Sequence, residues 1–459
     1  MLNIDSVTVK RHQIYWLFFS LLLPFCIYSF IGVPSNLLFV VTNYVVIFTA
    51  SALLSVRASM PFSLEKMAYL FCLFFMGVIP VSDFVNGNLY WGGEPLSSQT
   101  LILTNVLITI SLFFLWLGAQ ASYFFYKFTG QIALKYFKVD ASNFGLTRIF
   151  TLFVFILLVC YLIFKAADFN FLKLFFRGVV TEDGSAPASQ IIWLFQEYYI
   201  RPMPMIFLLI YSVYYHKSEK NVSQKMFYVL LFLLAFTFVS PTSVARFMVA
   251  ALYIPILLAF TPIWNRNYSM PLSILIALLL IFPFLDKFRY FDPDRFDFSM
   301  DFSFLNVGHF DAYQNFTRIV EMDLITCGNQ LLGALLFFVP RSIWSDKPVG
   351  SGAFLAENAS FYFSNVSMPF FAEGYINFGV VGIAIFCLVF GCLVSLFDRR
   401  FWAGQKNDVF SRYYFMLFGL VFFMMRGDLL SSYSFLVGFT LSFFSVLLFY
   451  RLIFLKYVF

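Results

Sequence analysis

The sequence predicts an all-α polytopic membrane protein of about 12 transmembrane helices, with both termini cytoplasmic and one long outward loop between spans 9 and 10. Three observations carry that prediction. Apolar segments of about 20 residues recur along the chain, each long enough to cross a ~30 Å hydrocarbon layer. Of the 459 residues, 61% are hydrophobic and only 12% charged, so the chain reads as one integral membrane domain, residues 1–459. The cations, finally, sit mostly in short loops that alternate with loops poor in them.

The first apolar segment, Ile14 to Val33, is full length, lacks a small-residue cleavage site and leads directly into another span, which predicts a true first helix rather than a signal peptide. Pro34-Ser35-Asn36 links it to the second, Leu37 to Leu54, and Arg57 and Lys66 precede the third, about Ala68 to Asp83. A turn-rich loop from Asn86 to Glu94, free of Lys and Arg, leads to the fourth, Leu101 to Phe124. Lys127, Lys135, Lys138 and Arg148 separate it from the fifth, Phe150 to Phe164. A first long loop, 165–201, carries Lys173, Arg177, Glu182 and Asp183. Span six begins near Ile191 and is interrupted by Arg201-Pro202-Met203-Pro204, where two prolines remove backbone donors. Spans seven (Met226 to Val239) and eight (Phe247 to Phe260) are joined only by 240–246, which places Arg246 at the membrane boundary. Span nine covers Leu272 to Phe284, and a large outward loop, 286–368, precedes span ten, Phe370 to Leu396. Span eleven (Tyr413 to Met425) and span twelve (Leu429 to Tyr450) flank a tight Arg426-Gly427-Asp428 turn.

Eighteen of the 30 Lys and Arg residues fall on the side of the termini, all in short loops, which predicts that side to be cytoplasmic. The net charge of +6 therefore encodes topology, not a nucleic-acid partner. Five of six cysteines lie in predicted spans and Cys327 stands alone in a loop, so no disulfide is expected. Gly-rich phosphate loops, Ser/His/Asp arrays and Cys/His ligand spacings are not readable, and Asp292-Pro293-Asp294 reads as a turn, so neither metal nor cofactor is expected.

Charges beside lipid-depth segments are costly and gather at a bundle interior or a water-filled cavity. The outward candidates are Arg201, Arg246, Arg341, Lys347 and Arg426, with Asp286, Asp311, Glu373 and Asp428 as anions. Each alone also fits an interface anchor or a structural ion pair. Together, several arginines suit an anionic ligand such as a pyrophosphate, because the guanidinium fork grips phosphate bidentately. Within the large loop, Phe310, Tyr313, Phe316 and Ile319-Val320 recur at helical spacing, predicting an amphipathic helix on the bilayer or over the bundle, a lid or a wall, with His309 and Asp311 on other faces. Leu331 to Val339 is too short to span, so Pro340 stops an interfacial or re-entrant helix and leaves Arg341 at the membrane rim, with Trp344 at headgroup level.

Two stretches resemble the bacterial O-antigen polymerase (Wzy) family: Val339-Pro-Arg-Ser-Ile-Trp-Ser-Asp-Lys-Pro348, similar to its P-R-x-[IL]-W-x-x-K-P run, and Phe370-Phe-Ala-Glu-Gly-Tyr-Ile-Asn-Phe-Gly-Val-Val-Gly382, similar to its E-x-Y-x-N-[FW]-G-x-x-G start of a span. Ser240 to Phe247 and Gly308 to Gln314 support the resemblance, and the span count with a large late outward loop fits along the whole chain. The family is described with an arginine, ten residues and a glycine in its outward loops, a spacing met by Arg341 and Gly352. The earlier loop departs from it, with Ala188 at the eleventh position after Arg177, which favours Arg201 or Arg246 as the partner of Arg341.

The resemblance implies a glycosyltransferase at the outer face of the bacterial inner membrane, independent of metal and nucleotide. It would move a growing glycan from undecaprenyl pyrophosphate onto a new undecaprenyl-pyrophosphate-linked repeat unit, with membrane lipid, a chain-length regulator and a flippase as further partners. In that reading Arg341 and Arg246 hold the donor pyrophosphate, and Arg201, Arg426 and Lys347 add charge. Glu373 is the preferred general base over His309 and Asp311, and Trp344 and Tyr375 stack on sugars or anchor the interface. An O-antigen ligase and a lipid-linked oligosaccharide flippase or transporter are the alternative readings. The sugars, the linkage and its stereochemical outcome are not encoded in any readable motif.

Overall fold

The computed structural model describes residues 6–56, 60–88, 94–129, 146–176, 190–217, 221–266, 268–281, 310–404 and 408–454, and all regular structure among them is helical. Helices occupy each of the twelve predicted segments. The first five are α1 (Ser6–Ile31), α2 (Leu37–Val56), α3 (Leu64–Val85), α4 (Ser98–Thr129) and α5 (Leu146–Ala166). After the short α6 (Phe171–Phe175), the sixth segment is broken into α7 (190–200) and α8 (Met203–Lys217), followed by α9 (Val222–Phe238), α10 (Arg246–Phe260) and α11 (269–281). The large loop holds α12 (Ala312–Glu321), α13 (Asn329–Leu335) and α14 (Ser351–Asn358), and α15 (Phe370–Ala403), α16 (Val409–Arg426) and α17 (Leu429–Phe454) close the bundle.

Eight of these helices are long and apolar enough to cross a membrane, which defines a polytopic helical membrane protein. The other four predicted segments hold shorter helices, because Pro202 and Pro204 divide the sixth and the turn at Ser240-Pro241 separates α9 from α10. Arg177, Glu182, Asp183, Asp286, Asp292-Pro293-Asp294 and His309 lie outside the described residues.

Hydrocarbon offers no aqueous driving force between helices, so association depends on close approach and interhelical hydrogen bonds. The most extensive apposition joins α4 to α15 through Gly118 with Ser122 on one helix and Gly391 with Ser395 on the other. A side chain at Gly118 would meet Leu388 O at 2.0 Å, and one at Gly391 would meet Leu115 O at 2.1 Å. Ser122 Oγ donates to Ser395 Oγ at 3.0 Å one turn further on. Inside α3 a π-helical stretch, Cys72–Val78, leaves the Gly77 carbonyl in need of a donor, and Asn43 Nδ2 on α2 supplies it at 3.1 Å.

α15 is not straight. Phe378 (φ −145°) and Gly379 (φ 62°) break it, and the second conformation favours glycine. Residues 374 and 382 of a straight helix would stand about 12 Å apart, yet a side chain on Gly382 would meet Gly374 O at 2.0 Å. The segment from Phe370 to Asn377 therefore folds back on the long helix that follows. Carbonyls freed by the break accept from Thr326 N (2.7 Å, to Ile376 O) and Gly328 N (3.0 Å, to Asn377 O), and Asn377 Oδ1 accepts from Leu331 N at 2.8 Å near the start of α13.

The helix predicted around Phe310 to Val320 is α12, and it is sunk between α3, α4 and α15 with every residue from Ala312 to Val320 buried. Tyr313 OH shares its one proton between Leu101 O (3.1 Å) and Asn105 Oδ1 (3.0 Å) on α4. It thus packs within the bundle and not flat on a bilayer surface.

Gly391→Leu is expected to destabilise the protein by about 3 kcal/mol or more, since the α4 backbone blocks the added side chain. Thermal unfolding in detergent checks this, with Leu393→Ala, on an exposed position of the same helix, expected to leave the melting temperature nearly unchanged.

Candidate functional site

Arg201, Arg246 and Arg426 line one cavity of about 1110 Å³, with Lys173, Glu197 and Asp428 as the other charged residues of its wall. Each arginine arrives there for a local reason. Arg201 follows the π-helical Phe195–Ile200 and precedes Pro202-Met203-Pro204, whose missing donors separate α7 from α8. Its Nη1 donates to both Glu197 oxygens at 2.7 and 3.0 Å, and its Nη2 donates to Ser243 O (3.3 Å) and Ser243 Oγ (3.2 Å).

Arg246 is the first residue of α10. The turn before it is tied by Ser243 Oγ donating to Ser240 O (3.0 Å), by Thr242 Oγ1 donating to Phe175 O and by Tyr253 OH donating to Val239 O. Ala245 at the N-cap has no side-chain acceptor, and residues Ala245 to Val249 all line the cavity. The positive end of the α10 dipole therefore adds to the Arg246 charge on the same space.

Arg426 is the last residue of α16, a position where the dipole favours a cation. α10 and α16 run antiparallel and very close: a side chain at Gly419 would meet Ala251 N at 2.2 Å, and the Phe247 and Phe423 rings stack 3.9 Å apart. This apposition brings the start of one helix beside the end of the other, and with them the two arginines. Arg426 Nη2 also donates to Asp311 Oδ1 at 3.4 Å. Asp311, 2% exposed, further accepts from Ser367 N (3.0 Å), Ser367 Oγ (2.6 Å) and Asn315 Nδ2 (2.9 Å). Its carboxylate is thus occupied in holding Arg426 and Ser367.

Among the described residues the wall carries four cations and two carboxylates, with Lys173 also paired to Asp168 at 2.6 Å behind it. Most of the remaining wall is apolar, and Leu257 of α10 and Ile276 and Ile281 of α11 are exposed as well as lining, so that side is not sealed. A cationic end with an open apolar wall is the chemistry of a site for an anionic amphiphile.

Asp428 also lines this cavity, and the other described residues singled out from sequence do not. Arg341 is exposed in the turn after α13. Lys347 Nζ donates to Phe337 O (2.5 Å) and Val339 O (3.0 Å), closing the turn on which Arg341 and the half-buried Trp344 sit. Burial lowers the Lys347 pKa below the usual lysine range, with repulsion from Arg341 adding to it. Glu373 is 1% exposed and bridges two helix starts, accepting from Ser351 Oγ at 2.8 Å and from Leu429 N at 2.7 Å. Tyr375 is buried and its hydroxyl donates to Asp323 Oδ1 at 2.9 Å. Gly352 is packed so tightly that a side chain would meet Val366 O at 2.3 Å.

Glu197, Ser243 and Lys173 are wall residues that the sequence reading did not single out as site residues. Glu197 and Arg201 carried a readable signal, an acid four residues before a base. Ser243 had none of its own, because its role is to accept from an arginine 42 residues away. The chain matches no family model, no curated protein and no solved structure.

Asp311→Ala is expected to cost on the order of 3 kcal/mol, since buried donors on Ser367 and Asn315 and the Arg426 charge lose their acceptor together. Thermal unfolding in detergent checks the size, and faster amide exchange along α12 checks the location.

Proposed function

We propose that this protein is a lipid-dependent glycosyltransferase of the O-antigen polymerase type, multi-pass in the bacterial inner membrane with the cavity facing the periplasm. In this reading it has twelve spans and cytoplasmic termini. It transfers a growing glycan from undecaprenyl pyrophosphate onto the terminal sugar of a new lipid-linked repeat unit. The observation that carries the proposal is the convergence of Arg201, Arg246 and Arg426, from three separate parts of the chain, on one cavity with an otherwise largely apolar wall.

The chemistry asks for what that wall offers. As the anomeric C–O bond breaks, negative charge grows on the departing pyrophosphate, and fixed guanidinium groups stabilise it without having to reorganise. Arg246 and Arg426 serve as the principal pair, Arg201 is partly neutralised by Glu197 and sets their geometry, and the apolar wall takes the polyprenyl chain. Arg341 and Lys347 act from outside the cavity, on the incoming substrate. An O-antigen ligase would use the same donor and differ only in its acceptor, so the product separates the two.

Deleting the protein in its host is expected to remove the long-chain glycan ladder on a gel while core plus one repeat remains. Loss of every repeat unit would point to a ligase or flippase instead. Arg246→Ala is expected to lower chain extension by about 10²–10³-fold, the scale for loss of one preorganised donor. Arg341→Ala is expected to lower it by less than about tenfold at equal membrane abundance, because it does not line the cavity. Ladder density from membranes of matched protein content measures both.

A further inference from the structure

We infer that Asp428 is the general base of this reaction, accepting the proton of the acceptor hydroxyl, an assignment that rests on the glycosyltransferase reading above. A base must reach the substrate, so it must belong to the cavity wall. Among the described residues the wall has two carboxylates, Glu197 and Asp428. Both Glu197 oxygens are taken by Arg201, at 2.7 and 3.0 Å. Glu373 and Asp311 are 1% and 2% exposed and absent from the wall.

Asp428 differs from all three. It starts α17, with Oδ1 accepting from Ser431 N at 2.7 Å and Oδ2 from Ser431 Oγ at 3.1 Å. The Leu430 N–H bonds it as well, which still leaves acceptor capacity on a carboxylate with roughly four lone-pair sites. The cap fixes the carboxylate in place, as a base that must meet a hydroxyl requires. The backbone at Gly350 covers one side of it, since a side chain there would stand 3.0 Å from Oδ2. The run that begins at Arg341 thus passes beside this carboxylate. Burial raises the Asp428 pKa above its ordinary value, against the lowering effect of its bonds to Ser431 and Leu430, which makes it a better base.

The step balances without a co-reactant. The acceptor oxygen forms a bond to the anomeric carbon of the donor, its proton passes to Asp428, and the anomeric C–O bond breaks with its electron pair leaving on undecaprenyl pyrophosphate. Asp428 then returns the proton to solvent.

The test exploits the fact that Asp, Asn and Ser cap helices about equally well. Asp428→Asn and Asp428→Ser should keep α17 and the melting temperature, keep binding of undecaprenyl pyrophosphate in nanodiscs, and lose at least about 10²-fold in chain extension. Asp428→Glu should recover part of the rate. The wild-type rate should fall on the acid side above the ordinary Asp range near pH ~4, and residual activity of Asp428→Asn should lack that limb. Glu373, Tyr198 and Arg426 are the other ionisable groups near Asp428, so Tyr198→Phe is profiled beside it and should retain the limb. Chain extension at the wild-type rate in Asp428→Asn or Asp428→Ser, with Arg246→Ala inactive, overturns the base and leaves the glycosyltransferase reading standing. So does loss of the acid limb on His309→Gln with Asp428→Asn active. Normal extension by Arg246→Ala together with no binding of undecaprenyl pyrophosphate overturns the reading itself.

Discussion

Helix starts leave backbone N–H groups without intrahelical partners, and where they are buried this protein satisfies them with side-chain oxygens. Asp398 accepts from Leu64 N (2.7 Å) and Glu65 N (3.0 Å) at the start of α3. Glu373 accepts from Leu429 N and Asp428 from Ser431 N at the start of α17, and Asn377 accepts from Leu331 N in α13. Asp428 is a local cap, whereas Asp398, Glu373 and Asn377 join elements distant in sequence, so for those three satisfying the backbone and fixing the tertiary arrangement are one event. An apolar replacement at any of them would free a helix start as well as remove a contact.

The same constraint gives the two resembling stretches a structural meaning. In Glu373 to Gly382, the glycines let the chain double back, Asn377 and the carbonyls before it hold α13, and Glu373 clamps α14 and α17. In Arg341 to Gly352, Lys347 closes a turn and the end of the run packs beside Asp428. Both stretches lie behind or beside the cavity. They build the frame, while the wall comes mainly from α5, α6, α7, α10, α11, α16 and α17 and the turns beside them.

The cavity itself depends on glycine. Gly419 allows α10 and α16 to approach until Phe247 and Phe423 stack, and only then do the first residue of one helix and the last of the other share a space. Charge is placed in pairs: Asp311 holds Arg426 from behind, Glu197 holds Arg201 from the side and Asp168 holds Lys173.

The helical class, the segment positions and the break at Arg201-Pro202-Met203-Pro204 were legible in sequence, because hydrophobic length and missing proline donors act locally. So was the candidacy of Arg201, Arg246 and Arg426, since charges at span ends are rare. Which charges meet was decided by tertiary structure. Glu373 and Asp428 are both acids at the start of a helical segment, yet one is sealed between two helix starts and the other faces the cavity. Arg341, prominent in its motif, is exposed and does not line the cavity, whereas Arg246 and Arg426, 180 residues apart in the chain, line it together. Sequence determines which groups are too costly to leave in lipid, and only the packing of α10 against α16 and of α15 on itself determines where each finds its partner.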